Sequence, residues 1–158
     1  MSSDREVRFM RRAIEIAARN AEVGGGPFGA VVVRGDEVVA EGVNLVTSNH
    51  DPTAHAEIVA IRRACEALGS FQLIGCEIYA SCEPCPMCLG AIYWARPDRV
   101  YFAASRSDAA AAGFDDDLIY SEVARPPVDR VIPTIALLRE EGQGPLRIWN
   151  GNPNRTPY

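Results

Sequence analysis

His55-Ala56-Glu57 and Pro84-Cys85-Pro86-Met87-Cys88, the second thirty residues after the first, are the two stretches of this chain whose residue types and spacing could do chemistry together. Cys85 and Cys88 stand three apart, so on a helix both thiolates face one side of a single turn. An imidazole and two thiolates are ligands of zinc. Three protein ligands leave the fourth tetrahedral position open to water, the arrangement of a catalytic zinc. A zinc held there would lower the pKa of that water toward ~7. Glu57 lies two residues from His55, points to a different side of the helix turn, and is expected to move protons without ligating the metal. Each stretch opens a predicted helix, so two N-termini with free N–H groups face one point, which favours thiolates and an attacking hydroxide. The expectation is one zinc per chain, with His55, Cys85 and Cys88 as ligands and Glu57 as acid and base.

A closed centre is the alternative. Cys82, Cys85, Cys88 and His55 would complete a structural Cys₃His zinc site with no use for Glu57, and the chain would then be a binding module. Cys82 ends a predicted strand and reads as packing behind the following helix. Cys65 and Cys76 read as core residues.

The elements that must position these side chains follow from periodicity and punctuation. Residues 5–21 space Phe9, Ala13, Ile16, Ala17 and Ala21 as one face of a helix, stopped by Gly24-Gly25-Gly26-Pro27. The β-branched runs 28–34 and 37–43 flank Gly35-Asp36, a two-residue hairpin signal. Residues 44–52 are polar turn residues, and Thr53 is the expected N-cap of a second helix. Residues 76–81 read as a buried strand, 84–95 as a helix ended by Pro97, and 99–105 as a strand, so this span is a crossover with parallel strands. Two short helical pieces follow around Gly113-Phe114, and 134–140 reads as a fifth strand, with a helix as the alternative. The predicted fold is α/β, a three-layer α/β/α sandwich around a mixed five-stranded sheet.

The 158 residues suit a single domain, with 142–158 a Gly, Pro and Asn-rich tail. All sixteen basic residues are arginine, and the net charge of −5 argues against a surface built to track phosphates, so a nucleic-acid partner is not expected. No apolar run approaches the ~20 residues of a membrane span, and the start of the chain lacks a signal peptide's apolar stretch, so the expected location is cytoplasmic.

The order His-x-Glu then Pro-Cys-x-x-Cys, with GGPFGAVVV (25–33), NHDPTAHAE (49–57), SCEPCPMCLGAIYWARP (81–97) and DAAAAGFDDDLIY (108–120), resembles the small bacterial guanine deaminases of the cytidine/deoxycytidylate deaminase superfamily. The metal motif alone gives only the superfamily; AIYWARP and AGFDDDLIY narrow it. The resemblance implies a cytidine-deaminase-like fold and hydrolysis of guanine to xanthine and ammonia. It places Phe28 against the purine ring, Asn44 on the purine edge, Ala56 and Trp94 at the substrate pocket, and Asp116 as a second carboxylate near the exocyclic amine. It also implies a homodimer whose exchanged tails bring Tyr158 to close the partner's site. Another aminated ring (guanosine, an aminotriazine, cytosine or tRNA adenosine) remains the alternative substrate.

Overall fold

The computed structural model describes residues 3–158. Its contacts divide the chain into a larger unit, Met1–Asp116, and a smaller one, Asp117–Tyr158.

In the larger unit, helix α1 (Asp4–Glu22) starts with a capping box in which the Ser3 hydroxyl accepts from the Glu6 N–H and the Glu6 carboxylate accepts from the Ser3 N–H. It buries Phe9, Ala13, Ile16 and Ala17. Strands β1 (Gly26–Arg34) and β2 (Glu37–Asn44) form the predicted hairpin, with Gly35 at φ +57° in its two-residue turn. A one-turn helix, α2 (Val46–Asn49), occupies the loop read as plain turn. Helix α3 (Ala56–Leu68), strand β3 (Cys76–Cys82), helix α4 (Pro86–Ala95) and strand β4 (Arg99–Ala104) follow, then the short helix α5 (Arg106–Ala111).

The sheet order is β2-β1-β3-β4, with β1 antiparallel to both neighbours and β3 parallel to β4 across α4. Alternation along β1 sorts its side chains to two faces. Val31 and Val33 pack with Tyr79, Phe9, Ala13 and Ile16 of the α1 side. Ala30 and Val32 pack with Ile78, Ala56, Ala60 and Ile92 of the α3 and α4 side. Two cores on opposite faces of one sheet make the three layers.

Two expectations are corrected. The N-cap of α3 is His55, and Thr53 instead donates its N–H and hydroxyl to the Asp51 carboxylate in the preceding turn. The sheet has four strands where five were expected. Residues 134–138 belong to no ladder, Ile135 and Leu137 are 80% and 83% exposed, and Leu138 at φ +52° leads into helix α7 (Arg139–Gly142). A short apolar run reads alike as strand or coil from periodicity, and a strand without a hydrogen-bonded neighbour is not held.

The smaller unit holds helix α6 (Asp117–Val123), a 3₁₀ turn at Pro127–Asp129, α7, and helix α8 (Gly144–Gly151) with Pro145 in its first turn. None of its residues is buried. Among the described residues, no helix is long and apolar enough to cross a membrane.

Candidate active site

His55 and Cys85 occupy equivalent places, each the N-cap of a helix in extended conformation and neither making a side-chain cap bond. Their side chains are therefore left to other work. Pro86 at the first position of α4 fixes the helix start without sacrificing a needed N–H. Cys88, in the first turn of α4, is fully buried. His55 Nδ1 lies 3.5 Å from Cys85 Sγ and 3.6 Å from Cys88 Sγ. Tetrahedral bonds of about 2.3 Å to sulfur and about 2.05 Å to nitrogen would set those atoms about 3.6 Å apart. The donor set fits a tetrahedral ion with one position left over.

Electrostatics agree with the geometry. The Cys85 thiol is held down to about 4, first by the hydrogen bond from Cys88 and, against burial, by His55. His55 is raised, chiefly by the same contact with Cys85. Both shifts favour a thiolate at Cys85 held by His55 and Cys88, the form in which a thiol binds a metal cation. Glu57 is 8% exposed and is the one buried charged side chain among the described residues. Burial pushes its carboxyl above the ordinary 4.5. A carboxyl buried in this way beside Cys88 and His55 is costly to keep charged, which marks it as a functional group.

Among the described residues, the groups placed to hold a metal are His55, Cys85 and Cys88, without Cys82. Cys82 is buried with its sulfur 3.7 Å from the Ser105 carbonyl. That arrangement counts against the closed four-ligand centre. Cys65 and Cys76 join the core on the α3 side.

Contacts between β2 and α3 place Asn44 beside the start of α3. A Cβ on Gly42 would stand 2.2 Å from the Ala56 carbonyl oxygen and 2.5 Å from the Ala60 nitrogen, so only glycine lets α3 lie this near β2. The Leu45 N–H donates to the Ala54 carbonyl at 2.9 Å, which joins the end of β2 to the residue before His55. Asn44 thus sits beside the start of α3, where Ala56 is buried. Its Oδ1 accepts from the Val46 N–H at 3.2 Å. Phe28 is half-buried on β1 and meets Phe114 edge-on, ring centroids 4.9 Å apart. Phe114 was not singled out from sequence; its only local signal is the preceding Gly113, at φ +93°. Of the acidic triplet, Asp116 is half-buried whereas Asp115 and Asp117 are exposed.

Two candidates are placed differently. Trp94 is 64% exposed on α4, so it is not a core residue. Tyr158 belongs to the smaller unit, where it is 70% exposed and faces the Trp149 ring edge-on at 6.2 Å.

A three-layer α/β/α sandwich that opens two helices onto one His, two Cys and a buried Glu defines a class of metal-dependent hydrolytic enzymes. Residues 3–104 match the model of the cytidine and deoxycytidylate deaminase zinc-binding region, and the chain belongs to that family. It is 51% identical to guanine deaminase of Bacillus subtilis over 95% of this chain and 97% of that protein. The X-ray structure of guanine deaminase from Bacillus subtilis superposes with a TM-score of 0.94 over 100% of this chain and 99% of that one, at 49% identity. The tRNA-specific adenosine deaminase of Bacillus subtilis is 38% identical over 72% of this chain and 71% of its own length.

Proposed function

We propose that this protein is a zinc-dependent aminohydrolase that converts guanine and water to xanthine and ammonia. The reaction class is carried by the His55, Cys85 and Cys88 donor set beside buried Glu57. The choice of guanine is supported by a likeness that runs through Phe114 and Asp116 into the smaller unit, where the likeness to the tRNA-specific enzyme covers less of the chain.

His55, Cys85 and Cys88 would hold one zinc ion per chain, which would supply Lewis acidity for ionising a water at neutral pH. Glu57 accepts a proton from the attacking water as the water oxygen adds to purine C2, and passes it to the adjacent ring nitrogen. It then takes the remaining proton from the hydroxyl now on C2 and delivers it to the 2-amino group, so that the C2–N bond breaks, ammonia leaves and the C2 carbonyl of xanthine forms. Burial suits Glu57 to this shuttle, because desolvation raises its carboxyl above the ordinary 4.5 and so favours its holding a proton.

Phe28 stacks on the purine, with Phe114 bracing its edge. The Oδ1 of Asn44 is already taken by the Val46 N–H, so the side chain offers its amide hydrogens. Guanine presents acceptors at O6 and N7, whereas adenine carries a donor at position 6. A donating amide therefore favours the 6-oxo purine. Ala56 packs under the ring, and Asp116 accepts from the exocyclic amine. Trp94 completes the pocket.

The chain acts as one deaminase domain and as a homodimer in which residues 142–158 pass to the partner and Tyr158 closes the partner's pocket. The smaller unit supports this, since its apolar side chains have no cover of their own. The test is an ammonia-release screen over guanine, guanosine, adenine, cytosine and aminotriazines. Guanine should lead by a wide margin. A different leading ring would overturn the substrate, and silence on all of them with zinc bound would overturn the enzyme.

A further inference from the structure

The β1–β2 ladder is irregular at its open end. Gly26 pairs with Asn44 and Gly29 with the adjacent Val43, so Pro27 and Phe28 are extra residues opposite no partner. Such a bulge re-aims a side chain and leaves main-chain groups without ladder bonds. Pro27 has no N–H to offer. The Gly26 and Asn44 carbonyls, which flank the bulge on the two strands, are both satisfied by one side chain from α1. Asn20 Nδ2 donates to Gly26 O at 2.8 Å and to Asn44 O at 2.9 Å. On the other flank the Gly29 N–H donates to Ser81 Oγ at 3.0 Å.

The glycines before Pro27 make room for this amide. A Cβ on Gly25 would lie 2.4 Å from Asn20 Nδ2 and 2.7 Å from its Cγ, and a Cβ on Gly26 would lie 2.8 Å from the Asn44 side-chain Cγ. Neither residue has a left-handed φ, so what excludes a side chain is the amides themselves.

We infer that Asn20 is a positioning residue for substrate recognition, its two amide hydrogens clamping the bulge that aims Phe28 and the end of β2 that carries Asn44. The inference rests on the proposed contacts of Phe28 and Asn44 with guanine. Asn20 is half-buried at the far end of α1 from the cap and touches no metal ligand, so its loss acts on binding of the ring rather than on zinc or proton transfer.

Steady-state kinetics on guanine, with zinc content measured beside them, test it in Asn20→Ala, Gly25→Ala, the double variant and Asn44→Ala. Asn20→Ala should raise KM about fivefold, what one typical hydrogen bond is worth in an equilibrium, with kcat within about threefold of the parent and zinc retained. Gly25→Ala should raise KM likewise by displacing the amide. In the Asn20→Ala background it should add nothing further, because the clashing group is gone. Should Asn20→Ala fail to fold, Gly25→Ala alone decides. A loss of kcat or zinc at unchanged KM, an unchanged KM in Gly25→Ala, or additive effects in the double variant would overturn the inference. Asn44→Ala separates the two levels. An unaltered KM there removes the substrate reading and the inference with it, whereas a raised KM there with a neutral Asn20→Ala removes the inference alone.

Discussion

Cys82, Cys85 and Cys88 are evenly spaced in sequence, but their surroundings differ. Cys85 and Cys88 lie on the first turn of α4 facing His55, whereas Cys82 closes β3 and points at the Ser105 carbonyl. Replacing Cys85 or Cys88 by alanine should therefore abolish bound zinc, and Cys82→Ala should keep about one ion per chain by atomic absorption. Equal loss in all three would restore the closed centre. Glu57 is tested separately, since it shares the site without being a ligand. Glu57→Gln keeps the volume and a hydrogen-bonding group while removing the proton shuttle. It should retain zinc and fold, and lose ~10²–10⁴ in kcat on guanine, the usual worth of general acid–base catalysis. A loss under tenfold, with chemistry rate-limiting, would take Glu57 out of that role.

Helix ends and close approaches set where those side chains point. Gly42 lets α3 lie against β2, so Gly42→Ala should push the helix off the strand, costing about 1–3 kcal/mol in denaturant unfolding and lowering zinc occupancy through His55. Unchanged stability would mean the helix shifts freely. Helix α5 depends on a capping box in which the Asp108 carboxylate accepts from the Ser105 hydroxyl and N–H at 2.6 and 2.8 Å, and these bonds hold its carboxyl below the ordinary 3.8. A depressed pKa places the stabilisation above the unfolded value and removes it as pH falls through the folded one. Asp108→Ala should thus melt below the parent at pH 7, with the gap narrowing as pH drops past 3.8, and a constant gap would show that the charge is not involved. Much of this frame was legible in the sequence. Gly35, Pro86 and Pro97 mark element ends through local backbone chemistry, and the donor set is recognisable because ligand types and helical spacing are local too. The bulge at Pro27-Phe28 was not legible, because the side chain that satisfies it, Asn20, joins Gly26 to Asn44, which lies 24 positions beyond Asn20 along the chain. Phe114 was missed for the same reason, its partner Phe28 lying on the first strand.

The whole molecule poses a problem that its larger unit does not. The smaller unit carries Ile135, Leu137, Leu146, Ile148 and Trp149 on its surface and buries none of them. On composition alone residues 142–158, with three prolines, three glycines and three asparagines, resemble a frayed end. Yet residues 144–151 form a helix, and Trp149 meets Tyr158 edge-on, which gives the segment an apolar face of its own. Burying a tryptophan and its aliphatic neighbours on a second copy would contribute a few kcal/mol, enough to hold the segment there. The expected protein in solution is a dimer by light scattering, and deletion of residues 154–158 should cut guanine turnover sharply while leaving zinc in place. The exchange makes a stronger demand. A tail-deleted chain keeps Glu57 but lacks Tyr158, and a Glu57→Gln chain keeps Tyr158 but lacks the base. Mixed under conditions that let subunits re-pair, the two inactive proteins should regain activity, because a site in one chain receives its tyrosine from the other. A monomer, a fully active deletion variant, or a mixture that stays at baseline would each remove the exchanged tail from the account of this site.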